Sequence, residues 1–70
     1  MANYRVNKNV DTNSRGDNEV HQESCIHYYQ LLNFEYLGNF SNCAGAVQEA
    51  KNRGYKADGC RKCCPSCHNG

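Results

Sequence analysis

Four of the six cysteines of this 70-residue chain fall between positions 60 and 67, in Gly59-Cys60-Arg61-Lys62-Cys63-Cys64-Pro65-Ser66-Cys67-His68. Apolar packing does not ask for that density. A Cys-x-x-Cys step after Gly59 directs both sulfurs at one point, because the tight turn sets backbone N–H groups behind the thiolates and clears side chains from the approach. That is half of a tetrahedral metal site. The complementary half is present in His21-x-x-x-Cys25, mixed N/S donors at one-turn spacing. The spacing therefore predicts a structural Zn²⁺ held by His21, Cys25, Cys60 and Cys63.

The tail offers a second register, since Cys64 and Cys67 repeat the two-residue spacing and Cys67-His68 is a further pair. Gly59 favours the first register. Pro65, inside the second, removes a backbone N–H that would otherwise back a sulfur. Cys64, Cys67 and His68 are then spare thiols, a rim to the site or a weaker second site.

Size explains why a staple is needed. A chain of 70 residues has room for one domain, 1–70, and buries too little apolar surface to be comfortably stable on that alone. Its hydrophobic fraction of 39% already counts the cysteines and tyrosines, and there is no Trp. Structural zinc contributes roughly 10–16 kcal/mol of apparent binding energy, comparable to or larger than a domain's whole net stability, so the metal-free chain is expected to be largely unfolded.

No apolar run long enough for a secretory leader or a membrane span is present, which predicts a cytoplasmic protein with no membrane partner. Reduced thiols there favour metal over disulfides. The alternative is a mature extracellular peptide stapled by disulfides.

The net charge of +1 makes no case for a polyanion partner, but the charge is uneven. Residues 51–70 hold five basic side chains against one acidic, while 1–50 hold three against six. Lys51, Arg53, Lys56, Arg61 and Lys62, with Tyr55 for stacking, form a candidate nucleic-acid face. The plainer reading is that Arg61 and Lys62 neutralise the thiolates beside them.

Along the chain, Tyr4-Arg-Val6-Asn-Lys8 alternates as a half-buried strand does, with Tyr4 and Val6 on one face. The polar stretch 11–18 is a loop, and its Arg15-Gly16-Asp17, an integrin signal in extracellular proteins, is a tripeptide that chance readily places there. Glu19-Val20-His21 returns as a strand and delivers His21. His27 has no partner at ligand spacing and is read as an ordinary residue, with Tyr28 and Tyr29 as covers for the site. After a connecting stretch, 35–40 reads as a strand with Tyr36 and Phe40 on one face, Leu37 on the other and a bulge at Gly38.

Ser41 caps a helix over 41–53 that stops at Gly54. Its Cys43, Ala46, Val47 and Ala50 form a narrow stripe of small side chains, with Cys43 a buried thiol acting as a small hydrophobe. The fold class is α+β: a small antiparallel sheet of about three strands and one helix, stapled by zinc, monomeric, with a flexible tail at 64–70 that folding does not need.

His21-x3-Cys25, the aromatic strand ending Tyr36-Leu-Gly-Asn-Phe40, the helix with Ala50-Lys-Asn-Arg-Gly54-Tyr55, and Cys60-x2-Cys63 resemble the small zinc module of the Ada-type DNA phosphotriester repair domain. The order is similar to modules that trail bacterial thermonuclease-like proteins and to short bacterial proteins of the same pattern. The resemblance covers roughly 19–63 and implies a zinc-stapled fold. The repair domain has cysteine at all four ligand positions and uses the first as a methyl acceptor. This chain has His21 there, and it inserts Lys56-Ala-Asp-Gly59 before the cysteine pair, so the activity does not transfer with the fold. The expectation is a non-enzymatic zinc module that binds a protein or nucleic acid. The alternatives are a redox protein using Cys64 or Cys67 as a thiol activated by nearby cations, and the disulfide-stapled peptide.

Overall fold

The computed structural model describes residues 1–9, 17–60, 62 and 65–67. Its elements run β1 (Ala2–Asn7), β2 (Asn18–Gln22), a short helix α1 (Ile26–Gln30), β3 (Phe34–Phe40), the main helix α2 (Cys43–Asn52), β4 (Ala57–Gly59) and a 3-10 turn at Pro65–Cys67. The sheet order is β3-β1-β2-β4. β1 is antiparallel to both neighbours, whereas β4 runs parallel to β2. The α+β class holds, but the expected three-stranded antiparallel sheet is a mixed four-stranded one. α2 carries the chain from one sheet edge across to the other, so β4 enters in the same direction as β2, as a crossover connection requires.

One face of the sheet packs on α2. Tyr4, Val6, Val20 and Leu37 meet Cys43, Ala46, Val47 and Ala50, the stripe expected from the helical period. Among the described residues, the largest fully buried side chains are Val6 and Val20. At about 25 cal/mol per Å² of apolar area, such a core stabilises little against the backbone entropy of ordering the chain.

β3 carries a correction. Its register against β1 shifts between Tyr4 and Arg5, so Tyr4 pairs with Gly38 while Arg5 pairs with Tyr36. Gly38 has φ +123°, a conformation that glycine alone adopts cheaply. The extra residue at this bulge swaps the alternation. Leu37 and Phe40 therefore both reach the core, and Tyr36 lies on the outer face, 51% exposed.

Asn42, not Ser41, caps α2, its Oδ1 accepting from the N–H of Gly45. The helix ends in a Schellman arrangement: Gly54 at φ +97°, its N–H donating to Lys51 O and that of Tyr55 to Ala50 O. Arg53 then ties this end to β3. It donates to Glu49, to Glu35 and to the carbonyl oxygens of Tyr36 and Leu37, while the Tyr55 hydroxyl donates to Glu35 at 2.6 Å.

Cys43 and Cys67 form a disulfide, with Cα atoms 6.4 Å apart. Cys43 is thus not a packed thiol, and Cys67 is not a spare one. The bond fastens the turn at Pro65–Cys67 to the start of α2, while the rest of the expected tail, 64 and 68–70, lies outside the described residues.

Candidate metal centre

The face of the sheet turned away from α2 carries the site. Register places His21 directly opposite Arg5, while Tyr4 and Val6 on the alternate positions enter the core. His21 and Cys25 approach through a turn in which the Cys25 N–H donates to Gln22 O at 2.9 Å. Cys25 is also the N-cap of α1, but its side chain makes no capping bond. On the other side, the Cys60 N–H donates to Val20 O at 3.0 Å. This continues the parallel ladder one step past the Val20–Gly59 pair and sets Cys60 beside His21.

The donor atoms of His21, Cys25 and Cys60 all lie within 4.8 Å of one another, and the three residues are 3%, 8% and 4% exposed. With Zn–S near ~2.3 Å and Zn–N near ~2.0 Å, a tetrahedral site has donor-to-donor edges of about 3.5–3.8 Å. A small inward movement closes the cluster on an ion. Sequence spacing thus identified three donors that the fold brings together. Cys63, the fourth expected ligand, lies outside the described residues, as do Cys64, His68 and Arg61.

The surroundings suit a cation. Glu19 Oε1 stands 3.8 Å from His21 Nε2, and Asp58, 5% exposed, pairs with Glu19 in the β2–β4 ladder. Alternation along β2 and β4 puts both carboxylates on the donors' face. Arg5 stands opposite His21 on the next strand. Its guanidinium lies between the Tyr28 and Phe34 rings, 4.0 Å from each centroid, and donates to Tyr28 O. Its buried Nε has no hydrogen-bond partner among the described residues. In the sequence Arg5 reads only as part of a strand.

His27, an ordinary residue by its spacing, lies at the cluster. Its ring stacks on that of His21, with centroids 5.7 Å apart and planes at 27°. Its place in the first turn of α1, two residues after Cys25, directs it back toward β2. Glu19 was legible from its i−2 position on the same strand face. Tyr28 is buried and covers this side, but Tyr29 is 68% exposed and does not.

The candidate nucleic-acid residues have divided roles. Lys51, Lys56 and Lys62 are exposed. Arg53 is neutralised by Glu49 and Glu35, whose hydrogen bonds hold its pKa above the ordinary value. The Tyr55 hydroxyl is committed to Glu35, which raises the phenol's pKa, while Tyr55 and Arg53 together lower that of Glu35. Asp17, the last residue of the Arg-Gly-Asp tripeptide, is 7% exposed and offers no accessible carboxylate. No helix among the described residues is long and apolar enough to cross a membrane. No protein-family model, curated protein or solved structure matches this chain.

Proposed function

We propose that this chain is a small non-enzymatic metal-binding module, folded around one structural Zn²⁺ at His21, Cys25, Cys60 and Cys63, that presents its surface to a protein or nucleic-acid partner. The observation that carries the reading is the buried convergence of one imidazole and two thiols from two distant parts of the chain, 21–25 and 60, on the sheet face turned away from α2. Cys63 completes the set by its two-residue spacing from Cys60. Soft thiolates with an imidazole favour zinc over the hard divalent cations, which take oxygen ligands. Bound zinc would lock β2, α1 and β4 together on that face, as α2 does on the other.

The disulfide-stapled peptide is favoured by one observation, the Cys43–Cys67 bond. It does not account for Cys25 and Cys60, which are thiols in the cluster with His21. Native and denaturing intact mass separate the two readings. One bound zinc, with only the hydrogens of a single disulfide missing, is the expected result; six missing hydrogens and no metal would overturn the proposal.

A further inference from the structure

The two staples lie on opposite faces of the sheet and share one stretch of chain. Cys60, at the metal cluster, is seven residues before Cys67, which is bonded to Cys43 on α2. The 3-10 turn that carries Cys67 packs on both α2 and β4. Both staples bear on the seating of β4, because Cys60 follows it directly and the 3-10 turn packs against it, and the apolar core that otherwise holds it is small. Resting on the metal-binding reading above, we infer that the Cys43–Cys67 disulfide is a thiol-exchange site that controls the affinity of the metal centre.

The bond is built for attack at one end. Cys43 is 8% exposed and Cys67 only half-buried, so an incoming thiolate reaches Cys67 Sγ first. Ser66 Oγ lies 3.4 Å from Cys43 Sγ and 4.0 Å from Cys67 Sγ. A disulfide sulfur has no hydrogen to give, so the hydroxyl is the donor, and it is nearer the sulfur that leaves. A low-molecular-weight thiol supplies the reductant. Its thiolate forms an S–S bond to Cys67 as the Cys67–Cys43 bond breaks, and Cys43 departs as a thiolate stabilised by Ser66, then takes a proton from water. A second thiolate attacks the small-molecule sulfur of the mixed disulfide, releasing Cys67 as a thiolate that is also protonated. Two thiols become one small-molecule disulfide, and the protein gains two hydrogens.

Coupling follows from linkage. Metal binds the folded chain, so apparent affinity falls by the factor by which the apo-protein is unfolded. A disulfide across a sequence separation of 24 removes loop-closure entropy from the unfolded chain. Where the apo-chain is mostly unfolded, reduction should weaken zinc binding on the order of a hundredfold. Because coupling is reciprocal, zinc must make the disulfide harder to reduce by the same factor.

The test uses the full chain and Zn²⁺ with a competing chelator, comparing the oxidised protein with Cys43→Ala/Cys67→Ala. In parallel, the wild-type disulfide is equilibrated with glutathione and its oxidised form, with and without Zn²⁺. The expected result is a loss of affinity of at least about tenfold in the double variant, matched by an equal shift in the glutathione equilibrium. Equal affinities within about threefold, with zinc still bound, would overturn the inference and leave the metal-binding reading intact. Tighter binding by the reduced wild type would also overturn it, since Cys43 or Cys67 would then be a ligand. Failure of the oxidised protein to bind zinc at all would instead overturn the metal-binding reading.

Discussion

Cys25 and Cys43 are both 8% exposed, yet burial has opposite consequences at the two positions. Cys25 contributes a donor to a cluster whose ion would stabilise the fold by far more than packing does, whereas Cys43 contributes a covalent bond to Cys67. Cys25→Ser should therefore abolish stoichiometric zinc binding and unfold the chain. Cys43→Ala should leave one zinc bound, more weakly, at a cost of about 2–4 kcal/mol for the lost disulfide. Circular dichroism with a zinc titration distinguishes them, and similar tolerance of both changes would show that Cys25 is not a ligand. Glu35 gives a second prediction at this scale. Hydrogen bonds from Tyr55 and Arg53 hold its carboxyl below the ordinary value. A depressed folded-state pKa means a contribution present above the usual carboxylate range and lost as pH falls through that lowered pKa. The Tyr55 phenol is raised, so its contribution is present below the usual phenol range and lost as pH rises through it. Glu35→Gln should flatten the acid limb of a stability-against-pH curve; an unchanged limb would remove Glu35 from the account.

Among the elements, the two positive-φ glycines of the described residues, Gly38 and Gly54, have different duties. Gly54 ends α2, and among the described residues no atom outside its chain neighbours lies within 4 Å of where a Cβ would be, so Gly54→Ala costs backbone strain of about 1–2 kcal/mol. Gly38, at φ +123°, holds the bulge that brings both Leu37 and Phe40 to the core. Gly38→Ala should cost more than Gly54→Ala in urea denaturation of the zinc-loaded protein, because relaxing the strain means losing the bulge and turning one of the two core side chains outward. Equal midpoints would mean that β3 tolerates the flip. The parallel β4 is the other element with a defined task. Only three residues long, it carries Cys60 one step beyond its end, beside His21. Its brevity is consistent with a strand held by flanking staples more than by its own ladder.

For the whole molecule, the disulfide changes what the tail is expected to do. A chain ending at Pro65 keeps His21, Cys25, Cys60 and Cys63 but loses Cys67, so it should still bind zinc while losing about 2–4 kcal/mol of stability. Thermal unfolding of the zinc-loaded truncated chain checks this, and an unchanged midpoint would show that the Cys43–Cys67 bond contributes nothing. The sequence by itself determined what depends on neighbours along the chain: the strand at Tyr4–Val6, the small-residue stripe of α2, the stop at Gly54, and the spacing of His21, Cys25 and Cys60. Each is fixed by a period or a turn within a few residues, which local sterics impose wherever the segment sits. Only the tertiary structure decided that Cys43 bonds Cys67, that Arg5 and His27 attend His21, that β4 runs parallel, and that Phe40 shares a face with Leu37. Those outcomes depend on chain reversals summed over many residues. A one-residue shift at the Gly38 bulge, or the sense in which α2 crosses the sheet, changes which distant side chains meet without altering any local pattern.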